Sequence, residues 1–216
     1  MSRACLETTP GRLSLESFLS VHSSSELTLE VGAEDSSCRS WFPNLISINL
    51  SPDRNIDAQA NAVQLPFRDE VFGVVVCTEV LEHTQSPELV LNELRRVLKP
   101  GGTLLLSVPF AFPIHYAPTD YYRFTRFGLK HLLAEWEIAT LQETTSDAAT
   151  LATYFHHWLL KKKGLHWKPP KLVWWGVWQL LTRSYRNNPK PVSTNGFSHM
   201  PAGYMVVAFK PRLAQE

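Results

Sequence analysis

Residues 72–109 read FGVVVCTEVLEHTQSPELVLNELRRVLKPGGTLLLSVP, and this stretch decides the fold of the chain. Two apolar runs, Phe72–Cys77 and Thr103–Val108, bracket one amphipathic helix. Neither run alternates with polar residues, which is typical of strands buried on both faces of a parallel sheet. Strand, helix and parallel strand form a βαβ unit, whose crossover is right-handed almost without exception. The sequence between strand and helix, CTEVLEH at 77–83, should lie at the carboxyl edge of the sheet, where ligands bind in open α/β folds.

The helix between the two strands has clear boundary signals. Ser86 is predicted to cap its amino end, and Pro87 suits its first turn. The basic residues of its last turn complement the helix dipole. The segment Lys99–Gly102 is predicted to end the helix and turn the chain into the next strand. The apolar stripe consists of Val90, Leu91, Leu94, Val97 and Leu98, and the basic residues are Arg95, Arg96 and Lys99.

The rest of the chain adds further strands and helices that fit a doubly wound α/β sheet. Apolar runs predict strands in succession, and their spacing implies connections on opposite faces of the sheet. A helix capped by Thr125 should follow the aromatic and proline-rich loop 109–125. The remaining predicted strands are Leu27–Gly32, Leu45–Leu50, a weak one within 57–63, Trp136–Leu141 and Tyr204–Phe209.

Composition places the chain among globular proteins. Apolar residues make up 44% of its 216 residues and charged residues 19%, which argues against disorder. The three cysteines, Cys5, Cys38 and Cys77, form neither a metal-ligand spacing nor a disulfide framework, so a reducing compartment is expected. No secretory signal is visible, and no apolar run is long enough to span a bilayer. A cytoplasmic location is the expectation.

Charge divides the chain into two unequal parts. Residues 1–147 carry 11 basic and 19 acidic side chains, whereas residues 148–216 carry 10 basic side chains and one acid, Glu216. Five of the seven tryptophans also lie after residue 147. We therefore expect an N-terminal segment at 1–26, a core formed by 27–145 and 200–212, and a basic, Trp-rich helical cap or insertion at 146–199.

The basic segment 161–190 supports three interpretations. Its interleaved basic and tryptophan side chains suit an amphipathic segment on an anionic membrane, at the inner face of the cell membrane. They also suit phosphate-bearing substrates or single-stranded nucleic acid, although the acidic body argues against an extended nucleic-acid surface. The third interpretation is a helical cap over a pocket, with its aromatic side chains packed inward.

The stretches LPFRDEVFGVVVCTEVLEH, LNELRRVLKPGG and LLLSVPF together resemble a class I S-adenosylmethionine-dependent methyltransferase of the type 11 kind. The similarity runs from about Leu27 to Leu133, with a plausible last strand at 204–209. The resemblance implies a Rossmann-like, seven-stranded sheet whose last strand is antiparallel and lies next to the sixth, with a helical insertion before it. It also implies that S-adenosylmethionine lies over the carboxyl ends of the first, second and fourth strands.

The cofactor residues that the resemblance implies match the family pattern only in part. Glu30 and Gly32 match the acid and the first glycine of the family's first motif, but Glu34 stands at the second glycine. Asn49 and Asn61 stand where the family has acids for the ribose and the adenine, and Gly73 replaces a further acid. The full implied set is Glu30, Gly32, Ala33, Asn49, Leu50, Asn61, Ala62, Cys77, Thr78 and Glu79.

The methyl acceptor is expected to meet residues after the fourth and fifth strands. We assign His83, His115 and Tyr121 as candidate catalytic residues. Family members with a similar H-x-x-P-x-D-Y-Y-R-F-T segment also place Asp120, Tyr122 and Arg123 here, and the alternative is a structural loop tied down by Arg123. No metal site is predicted, since the adjacent His156 and His157 would face apart on a helix.

Two functional hypotheses follow from these residues. The first is a methyltransferase that uses S-adenosylmethionine and acts on a small or lipid-linked acceptor. The second is a non-catalytic binding or scaffold protein that keeps the fold but has lost the cofactor, as the substitutions at the cofactor positions indicate. Binding of S-adenosylhomocysteine separates the two.

Overall fold

The structure is a computed structural model that describes residues 9–33, 37–52, 56–161, 173–174, 176–180, 183 and 199–212. Seven strands form one sheet in the order β3-β2-β1-β4-β5-β7-β6. Strands β1 to β5 pair in parallel, and β7 runs antiparallel to both β5 and β6. The doubly wound sheet and the antiparallel last strand beside the sixth are therefore confirmed.

The strand and helix bounds follow the predicted pattern closely. The strands are β1 Thr28–Val31, β2 Leu45–Asn49, β3 Ala58–Gln59, β4 Phe72–Thr78, β5 Leu98–Pro109, β6 Glu137–Glu143 and β7 Gly203–Phe209. The helices are α1 Pro10–Val21, α2 Pro87–Val97, α3 Arg126–Leu132 and α4 Asp147–Lys161. Short 3-10 turns lie at Ser37–Ser40 and Leu81–His83. Residues 173–174 and 176–180 are also helical.

Both faces of the sheet are covered, as the unbroken apolar strands require. On one face Leu29, Val75 and Leu104 pack with the buried stripe of α2. On the other face Val74, Val76 and Leu105 pack with α1, chiefly with its residues Leu15, Phe18 and Leu19. Successive strand residues thus alternate between two apolar layers, and both layers exclude water.

Three local predictions around the βαβ unit are wrong in detail. Ser86 precedes α2, but its side chain makes no capping hydrogen bond. Lys99 lies beyond the helix, and Lys99–Gly102 belongs to β5 because Leu98 already pairs with Phe72. The Gly101 amide donates to the Lys210 carbonyl oxygen at 2.8 Å, a non-local bond that holds this segment in the sheet. The weak strand predicted within 57–63 is present, as the two-residue strand Ala58–Gln59.

The sequence of 146–163 predicts a helix with Leu151, Tyr154, Phe155, Trp158 and Leu159 on one apolar face, but helix α4 exposes much of that face. Leu151 and Trp158 are 57% and 50% exposed. The polar residues Thr150, Thr153 and His156 are buried instead. This reversal has a physical cause, since aromatic side chains from 173–180 pack on the His156 side of the helix.

Candidate functional site

The carboxyl edge of the parallel strands carries the predicted cofactor positions. Gly32 ends β1 with φ +79°, a conformation that favours glycine. A Cβ atom at Gly32 would lie 2.3 Å from Cγ2 of Val80, which follows β4. The glycine therefore lets the turns after β1 and β4 approach closely, and its amide donates to the Ile48 carbonyl oxygen at 2.9 Å.

Asn49 fastens the turns after β1 and β2 to each other. Its Nδ2 donates to the Ala33 carbonyl oxygen at 2.7 Å, and its Oδ1 accepts from the Ser51 amide at 3.1 Å. A carboxylate could not donate the first of these bonds, so the asparagine has a structural reason to stand here. Its amide keeps one N–H and one lone pair for a ligand.

The other predicted cofactor residues differ in how far their side chains can reach a ligand. Leu50 is 66% exposed, and Asn61 is exposed after β3 with its Oδ1 accepting from the Val63 amide. Glu30 is buried, and the Cys77 side chain lies wholly in the core, where burial raises the pKa of its thiol. Cys77 can thus offer only its backbone. Ala62 and Thr78 are half-buried.

Glu79 marks a bend directly after β4. It has φ +55°, unusual for a residue with a side chain and often found at functional sites. Ser107, buried in β5, donates from Oγ to Glu79 Oε1 at 2.7 Å. Solvent reaches one side of the residue, but the surrounding protein removes enough water from the carboxyl group to raise its pKa. The bend therefore directs a carboxyl group along the edge of the sheet.

Glu82 is a buried carboxyl group in the turn Leu81–His83. The residue is 0% exposed, and neither of its side-chain oxygens has a hydrogen-bond partner among the residues that the structure describes. Burial first and the neighbouring Glu79 second raise the pKa of Glu82 to about 9. Buried polar groups in proteins are nearly always satisfied, so this carboxyl group calls for an explanation.

Two imidazole rings meet beside Glu82. His83 Nε2 and His115 Nε2 are 3.2 Å apart, and they lie 3.6 Å and 3.9 Å from Glu82 Oε1. Loss of water on burial is the main cause that lowers the pKa of His115. Glu82, His83 and His115 form a group of side chains that could hold a metal ion. The sequence predicted no metal site, so this grouping is a finding of the structure.

The loop that carries His115 is held by an ion pair. Arg123 donates to both carboxylate oxygens of Asp120, at 2.5 and 2.8 Å, and Asp120 accepts from the His115 amide at 2.8 Å. Hydrogen bonding from Arg123 is the main cause that holds the pKa of Asp120 well below its usual range. Arg123 thus ties down the loop, which is the arrangement that the interpretation as a structural loop describes. His115 points to His83.

Tyr121 lies at the rim of this group. Its amide donates to the Glu82 carbonyl oxygen at 2.8 Å, and its hydroxyl accepts from Gln85 Nε2 at 3.4 Å. The side chain is 43% exposed. Tyr121 therefore anchors the loop through its backbone and leaves its ring accessible.

An aromatic cluster lies at the start of the predicted cap. The rings of His156 and Trp178 stack with centroids 4.0 Å apart, and Trp174 donates from Nε1 to His156 Nδ1 at 3.2 Å. Phe112, in the loop after β5, contacts the ring of His157 edge to face. These contacts fit aromatic side chains packed inward. Most of 161–190 lies outside the described residues, and within them no helix is long and apolar enough to cross a membrane.

Sequence reasoning found most of this edge but missed two side chains. His83 and His115 were chosen as separate candidates, and the structure brings them together. Glu82 and Ser107 were not assigned. The sequence held a signal for Glu82, because Glu79 and Glu82 are separated by three positions directly after a buried strand. No pattern in the sequence singles out Ser107.

Comparison with known proteins supports the fold and the resemblance. Residues 42–106 match the family described as "Methyltransferase domain". The ubiquinone/menaquinone biosynthesis C-methyltransferase UbiE of Haemophilus ducreyi is 39% identical over 82 residues, which is 38% of this chain and 31% of that protein. A ubiquinone biosynthesis O-methyltransferase of Pseudomonas putida is 43% identical over 54 residues, 25% of this chain and 22% of that protein. The matched part thus spans about a third or less of these relatives.

Solved structures share the architecture over nearly the whole chain. The [4+2]-cyclase SpnF aligns with a TM-score of 0.60 at 17% identity, over 94% of this chain and 82% of that chain. The 1,6-didemethyltoxoflavin-N1-methyltransferase of Burkholderia thailandensis, solved with S-adenosylhomocysteine, aligns with a TM-score of 0.58 at 13% identity, over 95% and 80%. The fold is the Rossmann-like methyltransferase fold. Together with the family match, it confirms the resemblance to class I S-adenosylmethionine-dependent methyltransferases.

Proposed function

We propose that the chain is an S-adenosylmethionine-dependent methyltransferase that acts on a small or lipid-linked acceptor. The observation that carries this proposal is the carboxyl edge itself, where the Gly32 turn, Asn49 and Glu79 stand at the ends of β1, β2 and β4. The family match at 42–106 includes Asn49 and Glu79. Relatives named for ubiquinone and menaquinone biosynthesis are consistent with a small-molecule acceptor.

The residues present are compatible with the cofactor. Asn49 retains one donor and one lone pair, exposed Leu50 offers an apolar surface, and the Gly32 turn brings the ends of β1 and β4 together beside them. When bound, S-adenosylmethionine supplies an electrophilic methyl group on its sulfonium. Transfer needs an acceptor lone pair in line with that methyl group, so the protein's contribution is chiefly positioning. His83, His115 and Tyr121 are proposed to face the acceptor.

Calorimetric titration with S-adenosylhomocysteine tests the proposal. We expect micromolar binding to the wild-type protein. Asn49→Ala should weaken binding about tenfold, because one lost hydrogen bond of about 1.4 kcal/mol corresponds to that factor. Glu135→Gln is the matched control and should leave the affinity unchanged, since Glu135 precedes β6 at the opposite edge of the sheet.

Absence of binding at millimolar ligand would overturn the enzyme proposal. It would favour the non-catalytic alternative suggested by Asn49, Asn61 and Gly73. The fold by itself does not decide between the two hypotheses, because one solved structure that shares the fold is named as a cyclase. Contact of 161–190 with an anionic membrane, at the inner face of the cell membrane, remains a prediction, as does the cytoplasmic location. Nucleic acid remains the less favoured partner.

A further inference from the structure

Three side chains, those of Glu82, His83 and His115, lie close together, and their own hydrogen bonds do not explain this arrangement. Within the described part of the chain the buried Glu82 side chain has no hydrogen-bond partner, and His83 and His115 are only 22% and 25% exposed at their side chains. The three ligand-type atoms are separated by 3.2, 3.6 and 3.9 Å. A buried carboxylate is costly unless an opposite charge compensates it, so a cation in this position would satisfy the group.

The tautomers of the two histidines follow from their other ring nitrogens. His83 Nδ1 lies 2.6 Å from the Thr119 carbonyl oxygen, which can only accept, so Nδ1 carries the proton. His115 Nδ1 faces the Pro113 carbonyl oxygen at 3.3 Å and Asp120 Oδ2 at 3.4 Å, two further acceptors. In the neutral rings both Nε2 atoms therefore present lone pairs to each other. Fixing the ligating nitrogen by a hydrogen bond at the other one is the usual arrangement around protein-bound metals.

We propose that Glu82 Oε1, His83 Nε2 and His115 Nε2 form a binding site for a divalent transition-metal ion of the zinc class. Two imidazoles and one carboxylate suit zinc-type ions better than magnesium or calcium, which prefer all-oxygen ligands. Ligand atoms about 2.0–2.1 Å from zinc in tetrahedral geometry are about 3.3 Å apart, close to the observed separations. Three protein ligands leave a fourth position for water or a ligand oxygen.

The scaffold around the site is rigid enough to hold three ligands. Glu82 and His83 lie in one short turn after β4, and His115 lies in the loop after the neighbouring strand β5. The Tyr121 amide bonds to the Glu82 carbonyl oxygen, and the Asp120–Arg123 pair holds the His115 amide. The ligands therefore come from two adjacent loops that are fastened to each other.

Metal binding by the full chain, stripped with a chelator, tests this inference independently of S-adenosylhomocysteine binding. Titration with Zn²⁺ should show one site of micromolar or tighter affinity, and Co²⁺ should give the visible absorption of a four-coordinate ion. Glu82→Gln, His83→Gln and His115→Gln should each weaken binding tenfold or more, by analogy with the loss seen when groups supporting a metal are removed. His131→Gln, an exposed histidine on α3, is the control and should bind like wild type.

The outcomes separate the metal site from simpler alternatives. Glu82→Gln replaces the buried carboxyl group by a neutral amide of nearly the same size, so this variant should fold, and circular dichroism of the metal-free proteins confirms that for each variant. The proposal is overturned if wild type binds no Zn²⁺ in the micromolar range, which would leave a shared proton between the rings. It is also overturned if the three variants bind as tightly as His131→Gln, or if Mg²⁺ binds more tightly than Zn²⁺.

Discussion

Gly32 stands where the chain has no space for a side chain. An added Cβ would meet Val80 at 2.3 Å, and the φ of +79° would strain any other residue. We expect Gly32→Ala to lower the free energy of unfolding by about 2–4 kcal/mol, from backbone strain and steric overlap together. Urea unfolding followed by circular dichroism measures the change.

Two further variants make this test specific: the same substitution at another glycine, Gly176, and a second substitution at Val80. Among the described residues outside its own helical turn, no atom lies within 4 Å of the Cβ position at Gly176, so Gly176→Ala should be neutral or stabilising by up to about 1 kcal/mol. Gly32→Ala combined with Val80→Ala should recover part of the loss, because the overlap goes and the strain stays. A Gly32→Ala protein as stable as wild type would contradict the close contact between the two turns.

Single residues show where sequence reasoning reaches its limit. Asn49 looked like a weakened cofactor contact, yet it joins two turns, and an aspartate could not donate its bond to the Ala33 carbonyl oxygen. Glu82 was not assigned as a candidate, yet it is fully buried beside two candidate histidines. Both roles depend on partners that are distant in sequence or on the packing of whole loops. The spacing of Glu79 and Glu82 marks two carboxyl groups after a buried strand, but no local pattern shows that Glu82 is buried or which atoms Asn49 bonds.

Asp57 ties β3 to β2 at the level of the element. Its Oδ2 accepts from the Ser47 amide at 2.8 Å, from Ser47 Oγ at 2.9 Å and from Arg39 at 2.6 Å. The Ser47 amide is the main cause that holds the pKa of Asp57 below its ordinary value. A carboxyl group with a lowered folded-state pKa stabilises the protein above its unfolded pKa, and this stability is lost as the pH falls through the folded pKa.

Asp57→Asn should therefore destabilise the protein at pH 7 more than at about pH 3. We expect a difference of roughly 1 kcal/mol at most, since the side chain is 43% exposed and solvent screens its charge. Urea unfolding of both proteins at the two pH values measures this. Glu135→Gln is a surface carboxyl control whose effect should be smaller. An equal effect of Asp57→Asn at both pH values would show that the ionised carboxylate is not what holds β3.

Elements whose apolar residues recur at a regular spacing were predicted well. Boundaries and buried faces that depend on residues distant in sequence were not. The strands β4 and β5 and helix α2 follow from apolar runs and a helical stripe that are visible within 38 residues. The start of β5 depends on pairing with Phe72 and on the Gly101–Lys210 bond, and neither is local. The buried side of α4 is set by Trp174 and Trp178, which follow it by many residues.

At the scale of the whole molecule, the candidate site residues lie at the carboxyl edge of the parallel strands, and the part of the chain after residue 147 has a different charge. The polar side chains of the edge, Glu79, Glu82, His83 and His115, follow β4 and β5. The charge division predicted a separate basic part after residue 147, and the described portion of that part begins with α4 and an aromatic cluster. The contact of Phe112 with His157 links this cluster to the loop that carries His115.

If the aromatic cluster belongs to the same cooperative unit as the sheet, its most buried ring should matter for global stability. Trp178 is 1% exposed and stacks on His156, so Trp178→Ala should lower the free energy of unfolding by about 3–5 kcal/mol. Trp158 is 50% exposed on the other side of α4, and Trp158→Ala should cost less than about 1.5 kcal/mol. Urea unfolding monitored by far-ultraviolet circular dichroism compares the two on one scale. Equal stability of both variants would mean that residues 173–180 unfold without the sheet, and that the packed cluster does not stabilise the loop beside His115.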